Sequence, residues 1–419
     1  MNVLLKSATI IQPNSELHHS KKDILIEAGI IKKIATSIEN VGKCQLIDLP
    51  NLHVSIGWFD GSVSFGEPGY EERETLENGL KTAAHSGFTG IALNPNTNPI
   101  IDNKSAVEFL INKSKKSPAK LFPIGSFTQK SEGKELAELF DMKNSGACAF
   151  GDYKKSIENA QLLKIGLQYA QIFGGLIMSY PQNKAVAGEG LINEGINSTC
   201  LGLKGIPNFA EELQITRDLA ILDYTGGKLH FPTISTEGSV DLIRKAKSKG
   251  LNVSCSVAIH HLKLNDNELK EFDTNYKILP PLRTSSDQKA LLKGIKDGTI
   301  DFITGDHCPI DIEHKKVEFQ IAQYGTIGLE SFYGALNSVL KTDDFIENIT
   351  TKPRQIFGIS IPKIAEKEIA EITLFNPDEI YKFTVNQILS TSKNSAFIGS
   401  ELKGKVYGIF AQNQLILNQ

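Results

Sequence analysis

The first residues of this sequence that could carry chemistry follow a short apolar run. Asp60, Ser62 and Ser64 alternate along a predicted β-strand, so their side chains share one face. Much later, another apolar run leads to Asp306 and, two residues on, to Cys308. A carboxylate at a strand end could act as a general acid or base, whereas a thiol needs a partner base and a lowered pKa. The sequence identifies no such base, so we interpret Cys308 as a small buried side chain.

Further polar side chains stand at the ends of other predicted strands: Asn94, Asn96, Asp152, Tyr153, Ser179, Thr233, His260, His261 and His307. A weak Mg²⁺ or Ca²⁺ site formed by Asp60 and Asp306 is compatible with this pattern. The histidine positions do not predict a transition-metal site. In particular, we interpret His18 and His19 as surface residues of a polar loop.

The elements that must position these residues form a repeating pattern. Eight apolar runs, in order, are VSIGWFDGSVSF, FTGIALNPN, KLFPIGSFT, ACAFGD, GGLIMSYPQ, GKLHFPTIST, NVSCSVAIHH and DFITGDHCP. Helix-patterned segments separate them. Eight alternations predict an α/β protein with a (β/α)8 TIM barrel, in which chemistry lies at the carboxyl ends of the strands.

Both ends of the chain are rich in short strand patterns with Gly and Asn at the turns. We therefore predict one small β-sandwich domain assembled from residues 1–54 and 356–419. The barrel then occupies residues 55–355.

Composition excludes several classes of protein. Of the 419 residues, 40% are hydrophobic and 22% charged, which allows a large buried core. The net charge of −3 predicts no nucleic-acid partner, and no apolar run is long enough for a membrane helix. The N-terminus lacks a signal-peptide pattern, and the five cysteines are widely spaced, which favours reduced thiols and a cytoplasmic location.

An ordered series of segments resembles the dihydroorotases of the amidohydrolase superfamily, in the long bacterial type. The segments are VSIGWFDGSVSFGEPG, NPNTNP, INEG, GLKGIPNFAEELQITRD, STEGSVDLIRKAKSKG, PPLRTSSDQKALLKG, FITGDHCP and YGTIGLESFYGAL. The likeness covers almost the whole chain. It implies a barrel of the metal-dependent hydrolase type.

In that family an HxH pair and further histidines and carboxylates bind zinc. The resemblance puts hydroxyl-bearing residues at the corresponding positions: Ser62, Ser64, Tyr153, Ser179 and Thr233. Because protonated hydroxyls are poor zinc ligands beside imidazole, we expect no metal cofactor. Asp306 remains as a vestigial general acid or base, and Asn96 as a substrate contact. Three substrate-reading positions of the family are changed to Gly66, Leu279 and Ile310.

The resemblance leaves three functional readings. The first is a non-catalytic homologue that assembles with, or regulates, aspartate transcarbamoylase in pyrimidine biosynthesis. The second is an active dihydroorotase or related cyclic amidohydrolase, which interconverts dihydroorotate and carbamoyl aspartate at an atypical site. The third is a structural module outside pyrimidine metabolism. A homodimer is expected from the family.

Overall fold

The computed structural model describes residues 1–39 and 42–418. The strands are β1 (Asn2–Ile11), β2 (Lys21–Glu27), β3 (Ile30–Ala35), β4 (Gln45–Ile47), β5 (His53–Ile56), β6 (Trp58–Val63), β7 (Phe88–Leu93), β8 (Lys120–Gly125), β9 (Ala149–Phe150), β10 (Ile177–Met178), β11 (Ile192–Asn193), β12 (Gly205–Ile206), β13 (Leu229–Phe231), β14 (Val253–Ala258), β15 (Phe302–Thr304), β16 (Ile372–Lys382), β17 (Glu401–Ala411) and β18 (Gln414–Leu417).

The helices are α1 (Leu76–His85), α2 (Lys104–Ser114), α3 (Leu139–Asn144), α4 (Ala160–Gln171), α5 (Lys184–Ala187), α6 (Ile196–Leu201), α7 (Asn208–Thr225), α8 (Glu237–Ser248), α9 (Ile259–Lys263), α10 (Ser285–Lys296), α11 (Ile312–Lys315), α12 (Phe332–Asn337), α13 (Thr342–Phe345) and α14 (Thr351–Phe357). None of them, within the residues described, has the length and hydropathy to cross a membrane.

Eight parallel strands form the barrel, in the order β6, β7, β8, β9, β10, β13, β14 and β15. A bridge between Val63 and His307 closes it, supported by a hydrogen bond of 2.7 Å from the Ser64 N–H to the His307 carbonyl. Each of the eight predicted apolar runs supplies one barrel strand. The predicted α/β fold class, a (β/α)8 barrel, is confirmed.

The two chain ends share a second sheet, with the order β18, β17, β16, β5, β1, β2, β3 and with β4 beside β1. It is mixed: β1 runs parallel to β5, whereas β16 runs antiparallel to β5. Apolar side chains from both ends fill its own core, among them Leu5, Ile24, Leu374 and Phe410. This is the predicted β-sandwich built from both termini.

The chain passes from this terminal sheet into the barrel at Gly57, between β5 and β6. A side chain could not fit there, because a Cβ on Gly57 would lie 2.1 Å from Thr89 Oγ1. On the return path, α14 packs on β6, and the predicted boundary before residue 356 falls inside this helix. The exact division into 1–54, 55–355 and 356–419 stays a prediction.

Candidate functional site at the carboxyl end of the barrel

A chain of hydrogen bonds joins five side chains at the carboxyl end of the barrel. The Ser64 hydroxyl donates to Asn96 Oδ1 at 3.0 Å, and Asn94 Nδ2 donates to the oxygens of Ser62 (3.1 Å) and Ser64 (3.4 Å). The Ser62 hydroxyl donates to Asp306 Oδ1 at 3.2 Å. The structure therefore brings together Ser62, Ser64, Asn96 and Asp306, as the sequence predicts.

Lys154, which sequence reasoning missed, completes this centre. Its ammonium lies 2.8 Å from Asp306 Oδ2, and the two side chains are 13% and 2% exposed. Burial raises the pKa of Asp306, and the nearby ammonium and the Ser62 hydroxyl oppose that rise. Lys154 follows β9 within a loop, where side-chain direction does not follow strand alternation. Its only sequence signal is a charged residue next to a predicted strand end.

Little open space remains beside the ion pair. The cavity has a volume of about 10 Å³, room for about one water molecule. Besides Lys154 and Asp306, it is lined mainly by uncharged side chains, including Tyr153, Tyr180 and Thr233. The Tyr153 hydroxyl has no hydrogen-bond partner within the described chain, and burial raises its pKa well above the usual value. The centre thus holds one carboxylate, one ammonium and neutral hydroxyls.

Ser179 does not line this cavity. Its hydroxyl donates to Asp218 Oδ2 on α7 at 2.7 Å, away from the barrel centre. Met178 and Tyr180, on either side of it, face the cavity instead. Since neighbouring strand residues point in opposite directions, the inward position at the end of β10 is Tyr180 rather than the predicted Ser179.

Asp60 is fully buried in the seam between β6 and β15. Its carboxylate accepts the N–H groups of Ser62 (3.0 Å) and Gly305 (2.8 Å) and the Thr304 hydroxyl. Burial raises the pKa of Asp60 to about 7. Because both of its oxygens already accept hydrogen bonds, Asp60 closes the barrel and is not arranged with Asp306 as a Mg²⁺ or Ca²⁺ site.

Three residues at the site have a left-handed backbone: Tyr153 (φ 57°), Thr233 (φ 50°) and Asp306 (φ 44°). This region is unfavourable for bulky or branched side chains. Such conformations persist only where the surrounding structure imposes them, and they concentrate at functional sites. The surrounding structure therefore holds the backbone of Tyr153 and Thr233 in a strained conformation.

The buried histidines of the barrel have structural surroundings. The His230 ring stacks on Phe302 and bonds Ser254 and Ser256, and burial lowers its pKa to about 3. Burial lowers the pKa of His307 to about 3 as well, and its Nδ1 accepts the Gly328 N–H at 3.2 Å. These imidazoles are neutral near pH 7 and do not meet at one point.

The loop after β6 leaves no room for a side chain at Gly66. By resemblance, this residue stands where the family has its substrate-reading arginine. A Cβ on Gly66 would lie 1.7 Å from the Tyr70 carbonyl oxygen. Hydrogen bonds join the Gly66 N–H to the Glu74 carbonyl and the Tyr70 N–H to the Gly66 carbonyl, both at 2.9 Å. No larger side chain fits here unless the loop moves.

A metal-binding cluster is absent from the barrel centre in the part of the chain that the structure describes. Across residues 1–39 and 42–418, the one group of three or more His, Cys, Asp or Glu side chains close enough to share an ion is His18, His19 and Asp343. That group lies where the β1–β2 loop meets α13. The barrel centre offers a single carboxylate that is already paired.

Comparison with known sequences gives a consistent family. Residues 53–239 match the family model described as Dihydro-orotase-like. The chain is 38% identical to a dihydroorotase of Ruminiclostridium cellulolyticum, over 97% of this chain and 96% of that one. It is 36% identical to a dihydroorotase of Trichlorobacter lovleyi, over 96% of both chains.

Comparison with solved structures gives the same fold. The L-hydantoinase from Arthrobacter aurescens superposes with a TM-score of 0.85 at 20% identity, over 99% of this chain and 96% of that one. The dihydropyrimidinase from Brevibacillus agri superposes with a TM-score of 0.82 at 19% identity, over 100% and 95%. At such identity these likenesses establish architecture alone. The sequence matches go further, and by them this chain belongs to the dihydroorotase-like family.

Proposed function

We propose that this chain serves pyrimidine biosynthesis as a dihydroorotase-like protein whose barrel does not carry out zinc-dependent ring hydrolysis. The observation that carries the proposal is the ion pair at the barrel centre. The Lys154 ammonium lies 2.8 Å from Asp306 Oδ2. A protonated amine in that place holds the one carboxylate that could move a proton, and it repels a metal cation.

The residues present do not fit zinc. Structural and catalytic zinc sites use at least three protein ligands drawn from thiolate, imidazole and carboxylate. Here the inward positions are held by Ser62, Ser64, Tyr153, Tyr180 and Thr233. Hydroxyl groups that keep their proton near pH 7 do not replace those ligands. We therefore assign no chemical step to a metal, and the divergent site is part of the proposal.

The substrate side supports the same reading. Dihydroorotate carries a carboxylate, which a bidentate arginine suits best. Gly66 supplies no such group, and its loop leaves no room for one. The free volume of about 10 Å³ at the centre also falls far below the hundreds of Å³ typical of a ligand pocket.

We further propose that the intact framework acts through assembly, as a homodimer and as a partner of aspartate transcarbamoylase. Support for this proposal comes from two observations: the chain matches its relatives over nearly their whole length, and its barrel centre holds an ion pair between Lys154 and Asp306. An assembly role requires the fold but no catalytic site. The family fold is compatible with such a role, because fold alone does not specify chemistry.

An active dihydroorotase is the second candidate, and the names of the relatives favour it. Relatives that are 36–38% identical over almost the full chain are called dihydroorotases. Asp306 and Asn96 also remain near the barrel centre. In this reading Lys154 leaves Asp306 when substrate binds, and Asp306 then acts as general base.

One assay separates the two candidates. Purified chain is measured for dihydroorotate hydrolysis and for carbamoyl aspartate cyclisation, with and without added Zn²⁺, Mn²⁺ or Co²⁺. The non-catalytic reading expects the rate of a protein-free control in every case. Metal-dependent turnover that disappears in Asp306→Asn would establish the active reading instead.

Assembly with aspartate transcarbamoylase is tested separately. Tag-free chain is mixed with aspartate transcarbamoylase from the same cells and analysed by size-exclusion chromatography with light scattering. Co-elution at a defined stoichiometry supports assembly. Separate elution of the two proteins at micromolar concentration contradicts it, whatever the activity assay gives.

A further inference from the structure

A compact group of metal-ligating side chains lies outside the barrel centre, where the loop between β1 and β2 meets α13. His19 Nε2 is 3.3 Å from Asp343 Oδ2, and His18 Nε2 is 4.0 Å from Asp343 Oδ1. The two imidazole rings are 3.9 Å apart between centroids. One ligand atom from each of the three residues lies within 4.8 Å of the others.

We propose that His18, His19 and Asp343 bind a divalent transition-metal ion of the Zn²⁺, Co²⁺ or Ni²⁺ class. Two imidazole nitrogens and one carboxylate oxygen form a ligand set that these ions prefer, while Mg²⁺ and Ca²⁺ prefer all-oxygen sites. The site differs from the barrel centre in position and in ligand type. It therefore stands whether or not the barrel is catalytic.

The present spacing is close to what an ion needs. Metal–ligand bonds of about 2.1 Å in a tetrahedron place the ligand atoms about 3.4 Å apart. The pair formed by His19 and Asp343 already has this separation. His18 Nε2 lies 4.0 Å from the other carboxylate oxygen of Asp343, Oδ1. Since one ligand atom of each residue lies within 4.8 Å of the others, the three side chains need to move together by roughly 1 Å to share an ion. Asp343 and His19 are half exposed, so water can supply a fourth ligand.

The loop is held in shape before any ion arrives. The His19 backbone is left-handed, with φ 60°, and its N–H donates to the Ile10 carbonyl at 2.8 Å. The Ser20 hydroxyl donates to the Leu17 carbonyl at 2.6 Å. These bonds fix two consecutive histidines toward one side, and a fixed ligand arrangement lowers the entropy cost of binding.

His18 sets a limit on the affinity. Its Nδ1 accepts the Gln12 N–H at 3.3 Å, so the proton of the neutral ring lies on Nε2. To bind an ion through Nε2, the neutral ring must carry its proton on Nδ1 instead, so Nδ1 can no longer accept the Gln12 N–H and that long bond must break. Burial, and then the neighbouring His19, lower the pKa of His18, which keeps the ring neutral near pH 7. We expect moderate affinity that falls in acid, because protons compete with the ion for the imidazole nitrogens.

A bound ion would join two distant parts of the chain. His18 and His19 lie in the loop that joins β1 and β2 of the terminal sheet, whereas α13 follows the last barrel strand. A second contact beside it, from Asn14 Nδ2 to Glu347 Oε1 at 3.2 Å, keeps the two parts in register. The ion would then stabilise the packing of the terminal sheet on the barrel, because it binds only the folded arrangement.

Titration of tag-free, EDTA-treated full-length protein with ZnCl₂ and with CoCl₂ tests the proposal. Calorimetry should give one ion per chain, and the visible Co²⁺ spectrum should show imidazole ligation. The unfolding midpoint should rise by a few degrees at about a hundredfold excess of metal over Kd. His19→Ala and Asp343→Asn should each remove the binding and the midpoint shift.

His314→Ala is the matched control. His314 Nδ1 lies 2.8 Å from Asp311, so it forms a histidine–carboxylate pair without a second histidine. This variant should keep the binding stoichiometry of the unchanged protein. Zinc or cobalt binding that survives in the double variant His18→Ala, His19→Ala, or failure of the unchanged protein to bind either ion, overturns the proposal. A far-ultraviolet circular dichroism spectrum checks that each variant is folded.

Discussion

At the scale of single residues, Lys154 and Asp306 determine the charge of the barrel centre. Among the described residues, neither has another charged side chain within hydrogen-bond distance. Burial raises the pKa of Asp306, and the Lys154 ammonium opposes that rise because it favours the charged carboxylate. An ion pair that is this buried is costly to break, because the remaining charge stays without a partner.

We expect Lys154→Met to lower the free energy of unfolding by about 3 kcal/mol at pH 7. Without the ammonium, the folded-state pKa of Asp306 rises further above its unfolded value of 3.8. A raised folded-state pKa makes the free energy of unfolding fall as the pH increases from the unfolded-state pKa to the folded-state pKa. The destabilisation caused by Lys154→Met should therefore nearly vanish at pH 4. Urea unfolding at both pH values measures it.

The double variant Lys154→Met, Asp306→Asn is the control for that measurement. It removes both charges, so most of the lost stability should return. A Lys154→Met protein that is equally destabilised at pH 4 and at pH 7 would contradict the electrostatic explanation.

The same ion pair predicts what an engineered zinc site at the barrel centre would require. Ser62→His, Ser64→His and Thr233→His together should bind zinc with Asp306 only when Lys154→Ala is also present. With Lys154 retained, its ammonium holds the carboxylate and repels the cation. Zinc content after dialysis compares the two variants. Equal zinc binding with and without Lys154 would contradict this account.

Residue periodicity predicted part of this centre and missed part. Alternation along β6 correctly placed Ser62 and Ser64 on one face, next to Asp306. Ser179, which the family resemblance put at an inward position, bonds Asp218 instead, and the next residue, Tyr180, lines the cavity, because in a strand one residue reverses the face. Lys154 could not be placed at all, because loop geometry, rather than strand alternation, directs its side chain.

At the scale of elements, eight apolar runs were enough to predict the barrel, since each buried parallel strand reads as a continuous apolar stretch. The first run nevertheless contains two strands of different sheets, β5 and β6, which meet at Gly57. No change of pattern marks this crossing. It is fixed by a tertiary contact, the close approach of Gly57 to Thr89.

Arg354 of α14 secures that crossing. Its guanidinium donates to the Gly57 carbonyl at 2.7 Å and to Glu371 Oε1 at 2.5 Å, and its side chain is 2% exposed. Burial raises the pKa of Glu371, but Arg354 and then Lys120 outweigh it, so the net pKa is below 4.5. This stabilisation is present above pH 4.5 and is lost as the pH falls through the lowered pKa.

We therefore expect Arg354→Met to cost about 3 kcal/mol of unfolding free energy at pH 7 and much less at pH 3. Lys120→Met is the matched control. Lys120 also contacts Glu371, at 3.2 Å, but its side chain is 43% exposed, so its loss should cost at most about 1 kcal/mol. Chemical denaturation of both variants at the two pH values measures the difference. Equal losses from the two variants would contradict the assigned importance of burial.

At the scale of the whole molecule, the outer face of α4 is unusual for the surface of a barrel. Apart from Lys164, which is partly buried, the residues of α4 carry no charge. The exposed ones include Ile165, Gln168 and Tyr169, and Ile172 follows at 78% exposure. Phe140 on α3 is exposed beside Phe173, which packs against Tyr169. An exposed apolar face of this kind marks an interaction surface.

A second copy of the chain suits this face, because a two-fold axis brings each patch against itself. Charged patches repel their own copy, whereas apolar side chains and glutamine amides, which both donate and accept, are self-complementary. We expect a dimer of twice 45.9 kDa by analytical ultracentrifugation. Tyr169→Glu should give the monomer mass, because the carboxylates would meet across the axis. Ile369→Glu, at a residue 70% exposed elsewhere, should leave the dimer intact. A monomeric unchanged protein, or a dimer that survives Tyr169→Glu, would contradict a dimer interface on the α4 face.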